Sequence, residues 1–95
     1  MTPPPPASLP SKARILVVDD DPEIRELLCD YLRAQGMQAA AVADGQGMWD
    51  WLARHSADLV VLDLMLPGVD GLALCRSLRE RTPIAVVMLT ARGAL

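Results

Sequence analysis

The sequence holds one histidine, one lysine and two cysteines, and no apolar run approaches the length of a membrane span. A single histidine, His55, cannot form a histidine-based metal or catalytic pair. It lies near the end of a helical pattern and reads as an exposed helix residue, not a phosphohistidine donor. Cys29 and Cys75 lack metal-ligand spacing and fall inside helical patterns, so both read as reduced core or boundary residues of a cytosolic protein. A spanning helix needs about 20 consecutive apolar residues, which excludes the membrane class for what is present here. The net charge of −3 removes the basic footprint that nucleic acid binding by this segment would need. Arg76, Arg79 and Arg81 read instead as a solvated helix face. The opening "MTPPPPASLPSK" lacks the apolar core of a signal peptide, and its prolines favour an extended leader over residues 1–13.

What the chain does contain is apolar and concentrated. At 95 residues and 52% hydrophobic it suits one small domain with a single core. "RILVV" (14–18), "LVVLDL" (59–64) and "IAVVML" (84–89) are short, branched and continuously apolar, the pattern of strands covered on both faces of a parallel sheet. "MQAAAVA" (37–43) is weaker and fits an edge strand.

Helical patterns separate these runs. In "DPEIRELLCDYLRAQG" the residues Ile24, Leu27, Leu28, Tyr31 and Leu32 recur at helical spacing, and Gly36 is placed to terminate the helix. Asp21 followed by Pro22 is a helix-start signal, with Glu23 and Glu26 favouring the helix dipole. "GMWDWLARH" (47–55) sets Met48 and Leu52 on one stripe with Trp49 and Trp51 flanking it. "GLALCRSLRER" (71–81) predicts a face of Leu72, Cys75 and Leu78. Asp44-Gly45 and Asp70-Gly71 read as turn dipeptides, and Pro67 and Gly68 as shaping a loop. The order β-α-β-α-β-α-β with short connections implies right-handed crossovers and a parallel sheet carrying helices on both faces.

Such sheets bind ligands outside the carboxyl ends of their strands. The first strand ends at Asp19, Asp20 and Asp21, the third carries Asp63 near its end, and the fourth ends at Thr90. Two carboxylates about 4 Å apart repel by roughly 4 kcal/mol at an effective dielectric of about 20. A cluster of this kind must raise its pKa values or attract a cation. A hard divalent ion such as Mg²⁺ takes one or two carboxylates and leaves positions for water and phosphate oxygens. A metal-bridged aspartate beside a hydroxyl suits phosphoryl transfer, and an aspartate can itself be the nucleophile.

"ILVVDDDPEIRELL", "DLVVLDLMLPGVDGL" and "VVMLTAR" resemble three signature blocks of the receiver domain of bacterial two-component response regulators, in order and in spacing, from about Arg14 to Arg92. The resemblance implies an α/β, flavodoxin-like doubly wound parallel sheet of strand order 2-1-3-4. It makes Asp63 the acceptor of a phosphoryl group from the phosphohistidine of a sensor histidine kinase. Asp20 and Asp63 would bind Mg²⁺ directly with the backbone carbonyl of Met65, and Asp19 would act through a metal-bound water. Thr90 would turn inward to the phosphoryl group, and Ala91 would offer a backbone N–H. The implied protein is a cytoplasmic phosphoacceptor and not a turnover enzyme.

The family's domain usually continues for another helix, strand and helix, whose strand ends in a lysine that pairs with the phosphoryl group. The only lysine here is Lys12, so no residue matches that switch lysine. The expectation is an incomplete receiver over residues 14–95 whose fourth strand lies at an edge and favours self-association. "LTAR" is similar to receivers of transcriptional regulators, which makes transcriptional control a property of a parent protein. Two alternatives stay open: a docking module that is not usefully phosphorylated, and a phosphatase similar to the haloacid dehalogenase type. The latter rests on Asp19-x-Asp21, but has Glu23 where Thr or Val is usual and leaves Asp63 idle.

Overall fold

The computed structural model describes residues 12–66, 68 and 70–89. Seven elements alternate: β1 (Arg14–Val18), α1 (Pro22–Ala34), β2 (Gln38–Val42), α2 (Gly45–Leu52), β3 (Leu59–Asp63), α3 (Gly71–Arg81) and β4 (Ala85–Leu89). The four strands form one parallel sheet in the order β2-β1-β3-β4. This is the doubly wound arrangement expected from the alternating pattern. Packed structure begins before the expected end of the leader: Ala13 is fully buried, and its carbonyl accepts from the Gln38 N–H at 2.8 Å.

Strand alternation divides the core into two layers. Leu16 and Val18 of β1 and Val60 and Leu62 of β3 face the side covered by α2 and α3. There they pack with Met48, Leu74, Cys75 and Leu78. Ile15 and Val17 point to the other side, where α1 lies over β1 and β2. Both cysteines are buried and free.

All three helices start the same way. Asp21 accepts from the Glu23 N–H at 2.9 Å, Asp44 from the Gly47 N–H at 2.7 Å, and Asp70 from the Leu72 N–H at 3.0 Å and the Ala73 N–H at 3.3 Å. The two pairs expected to be turns are therefore N-caps followed by the first helical residue. Gly36 ends α1 as expected, at φ 87°. Its N–H donates to the Arg33 carbonyl and the next N–H, of Met37, to the Leu32 carbonyl, the paired bonds of a Schellman ending.

The structure corrects three local expectations. Leu72 is exposed, and Leu74 takes its place on the buried face with Cys75 and Leu78. At about 100° per residue, positions 71, 74, 75 and 78 form one stripe that 72 falls outside. The second helix begins at Gly45 and ends at Leu52, so His55 lies in the turn beyond it, its ring stacked on Trp51 at 4.7 Å. Spacing leaves the burial of the two tryptophans open; both are half-buried against the core, and Arg81 lies over the Trp49 ring at 4.9 Å. β4 is not covered on both faces: Val86 and Met88 are half-buried, while Ala85, Val87 and Leu89 are exposed.

Candidate functional site

The parallel arrangement carries the ends of β1 and β3 to the same rim. In the shared register Val18 lies beside Leu62, so the residues that follow, Asp19 and Asp63, emerge next to each other. Carboxylate oxygens of Asp19, Asp20 and Asp63 all lie within 4.8 Å of one another. Asp19 is 8% exposed and Asp63 9%, whereas Asp20 is open to solvent.

Each buried aspartate is held by backbone. The Met65 N–H donates to Asp63 Oδ1 at 2.9 Å, which fixes that carboxylate on the turn after β3. The Asp21 N–H donates to Asp19 Oδ1 at 2.9 Å, and the Asp19 N–H donates to the Val42 carbonyl at 3.1 Å. Asp21 itself caps α1, its Oδ1 accepting from the Glu23 N–H. The run of three aspartates thus divides into two cluster members and one helix cap.

Burial pushes the Asp19 carboxyl above the usual aspartate range. The Asp21 N–H opposes that shift, and the charges of Asp63, Asp20 and Asp21 add to it. The folded chain therefore holds this proton to higher pH than the unfolded chain does. The stability contributed by Asp19 is complete below the usual aspartate pKa and is lost as pH rises through the raised folded value. In metal-free buffer the Asp19→Asn variant is expected to melt above the parent at neutral pH, with the gap closing on acidification toward about pH 4. Thermal melts of both chains across that range check it; a gap constant with pH overturns it.

The three oxygens fit a small hard cation. Two oxygens on one Mg²⁺ stand at most about 4.2 Å apart, given ligand distances of about 2.0–2.1 Å. The oxygens here lie within 4.8 Å of one another, close to that limit, so the cluster could hold such an ion. A cleft of about 590 Å³ opens from this cluster and is lined by Asp19, Asp20, Asp21, Asp63, Met65, Ile24, Leu27, Leu28 and Leu89. One wall is acidic and the other apolar.

Of the expected site residues, Asp19, Asp20, Asp63 and Met65 come together on this rim. Thr90 and Ala91 lie outside the described residues, as do residues 1–11 of the leader. The sequence reading missed two contacts. One is the Met65 amide, since turn N–H groups leave no residue signature. The other is Arg25, which donates from Nη1 to the Asp19 carbonyl at 2.8 Å. Nothing in its local pattern separates Arg25 from the chain's solvated arginines.

A four-stranded parallel sheet with an acidic cluster at the ends of its first and third strands defines a receiver. Residues 15–95 match the family model for the response regulator receiver domain, and the chain belongs to that family. It is 44% identical over 79 residues to the transcriptional regulatory protein BaeR of Escherichia coli, covering 83% of this chain and 33% of that one. It is 46% identical over 81 residues to the DNA-binding response regulator MtrA of Mycolicibacterium smegmatis, covering 85% and 36%. The chain thus spans about a third of the length of these relatives. Among solved structures it is similar to the Thermotoga maritima response regulator TrrA in complex with Mg²⁺ and BeF, with TM-score 0.79, 35% identity and coverage of 85% and 71%. The complex of TrrA with the histidine kinase ThkA gives TM-score 0.79 and 35% identity, with coverage of 86% and 72%.

Proposed function

We propose that this chain accepts a phosphoryl group on Asp63 from the phosphohistidine of a sensor histidine kinase. The observation that carries the reading is the cluster itself: Asp63 is nearly buried, fixed by the Met65 N–H and flanked by Asp19 and Asp20. The Met65 N–H occupies Oδ1, which leaves Oδ2 as the attacking atom. An Asp63–phosphorus bond forms as the histidine N–P bond breaks, and the freed imidazole nitrogen keeps the electron pair and takes a proton. Asp20, Asp63 and the Met65 carbonyl would hold Mg²⁺, with Asp19 acting through water. When bound, the ion neutralises charge on the cluster and on the incoming phosphoryl oxygens. Thr90 and Ala91 complete the proposal as the hydroxyl and backbone N–H that meet the transferred group.

The similarity to TrrA, solved with Mg²⁺ and BeF and in complex with a histidine kinase, supports this ligand and this partner. The chain acts as a substrate that assists its own phosphorylation and dephosphorylation, in the cytoplasm. Output through DNA, as the names of BaeR and MtrA describe, is a proposal for a longer parent protein. Phosphoryl uptake from acetyl phosphate in Mg²⁺ tests the reading directly.

Self-association is a second element of the proposal. Among the described residues β4 is an edge strand, its residues Val87 and Leu89 are exposed, and Leu89 lines the same cleft as exposed Leu27. The 95-residue chain is expected to sediment above monomer mass in a concentration-dependent way, and Val87→Lys to return it to monomer. A parent chain that stays monomeric at high concentration removes this element.

A further inference from the structure

Asp20 is the exposed member of the acidic cluster, so the aim of its carboxylate depends on the backbone that carries it. That backbone is anchored at several points. The Asp19 N–H is held by Val42, and the Asp21 N–H by the Asp19 carboxylate. The peptide between Asp19 and Asp20 is held at its oxygen by Arg25, whose Nη1 donates to the Asp19 carbonyl at 2.8 Å. Because a peptide unit is planar, fixing its oxygen fixes the plane and hence the direction from which Asp20 departs. Arg25 is well placed for this. It is half-buried in the first turn of α1, where its own N–H donates to the Asp21 carbonyl at 3.0 Å.

We infer that Arg25 is a positioning residue for the acidic site: by holding the Asp19 carbonyl it orients the Asp19–Asp20 peptide and so presents Asp20 to a divalent cation. The inference rests on the reading of the cluster as a Mg²⁺ site. It has an opposing effect to overcome. A guanidinium near the cluster repels a cation, so if Arg25 acted only through its charge, its removal would tighten binding. If it acts by holding the peptide, removal loosens binding. The sign of the change separates the two.

The test is Mg²⁺ titration by calorimetry on the 95-residue chain, paired with amide hydrogen exchange of the metal-free chain. Arg25→Ala is expected to weaken Mg²⁺ binding about tenfold, the range typical of groups that orient metal ligands. The same variant is expected to speed exchange at the Asp21 amide several-fold. Arg25→Lys keeps one N–H donor for the carbonyl and is expected to stay within about threefold of the parent. Binding as tight as the parent's, or tighter, in Arg25→Ala overturns the inference. If that variant does not fold, Arg25→Met is read instead: it keeps a long apolar stem but has neither the charge nor an N–H donor for the carbonyl, and equal or tighter binding again overturns the inference. A parent chain that binds no Mg²⁺ refutes the metal reading. The exchange measurement then decides the positioning role alone, unchanged exchange at Asp21 sinking it.

Discussion

Asp63→Asn is expected to leave the chain folded, to reduce phosphoryl uptake from acetyl phosphate to the level of buffer alone, and to raise the melting temperature in metal-free solution. The loss of uptake follows from the lost nucleophile, and the higher melting temperature from relief of charge in the cluster. An amide oxygen does not attack phosphorus as a carboxylate does, and removing a nucleophile abolishes the covalent step. Asn keeps the Oδ1 that accepts from the Met65 N–H, so the turn after β3 is preserved. It deletes one charge from a group of three whose oxygens lie within 4.8 Å of one another. Pairwise repulsion at about 4 Å is roughly 4 kcal/mol at a dielectric of about 20, reduced by solvent because Asp20 is open. A net gain of about 1 kcal/mol is expected, and with it a rise of roughly 4–8 °C for a domain of this size.

Mg²⁺ should reverse the ranking. The parent gains stability with added Mg²⁺ by mass action, and the variant, lacking one ligand, gains little. Intact-mass spectrometry reads the uptake, and melts with and without Mg²⁺ read the stability. A variant that still takes up a phosphoryl group moves the acceptor to another aspartate. A variant that loses uptake by unfolding shows a lower melting point, the opposite of the expected change.

Gly71→Ala is expected to destabilise the chain by about 2–3 kcal/mol, the cost of forcing an atom into a packed backbone contact. A Cβ at Gly71 would stand 2.8 Å from both the Cα and the carbonyl oxygen of Leu64. Neither atom can swing aside as the end of a side chain can. The Leu64 N–H donates to the Leu89 carbonyl at 2.8 Å, so β4 pins the segment from the other side. Either α3 shifts outward or the turn that places Asp63 and Met65 distorts. The melting temperature should fall roughly 10–20 °C. Gly45→Ala is the control. It is also the first residue of a helix and buried, but its Cβ would meet the Leu74 side chain, at 3.3 Å. A methyl-bearing chain end can rotate away, and the expected cost is about 1 kcal/mol or less. Urea denaturation of the two variants measures the contrast; equal stability of Gly71→Ala and parent refutes the tight contact.

These cases show what the residues make legible and what they leave hidden. The order of elements followed from period, because continuous branched runs and helical spacing are local properties. The acidic rim followed from topology: once the sheet is parallel and β1 lies beside β3, as the family resemblance implies, the residues at the ends of those strands meet. Faces were harder. Leu72 and Leu74 are both apolar and lie in one short helix, and only the sheet beneath decides which is covered. Leu27 and Tyr31 fit the buried period of α1 yet are 64% and 61% exposed. The described residues place no element over the β4 side of that face, and spacing cannot count neighbours. The hold of Arg25 on the Asp19 carbonyl, and the near approach of Gly71 to Leu64, are contacts of backbone that no pattern of side chains records.

The shared starting point of the helices gives the molecule an electrical polarity. Asp19, Asp20, Asp21, Asp44, Asp63 and Asp70, six of its 12 acidic residues, sit at the last residue of a strand or in the segment that follows one, along one end of the sheet. Arg33, Arg79 and Arg81 occupy the last turns of α1 and α3, toward the opposite end. The rim where the phosphoryl donor is proposed to approach is therefore strongly acidic. A phosphoryl group is itself an anion, and the bare rim repels it. A divalent ion at the rim would offset two of the three cluster charges and so weaken that repulsion before any bond is made. On this account the cation admits the donor as well as assisting the transfer.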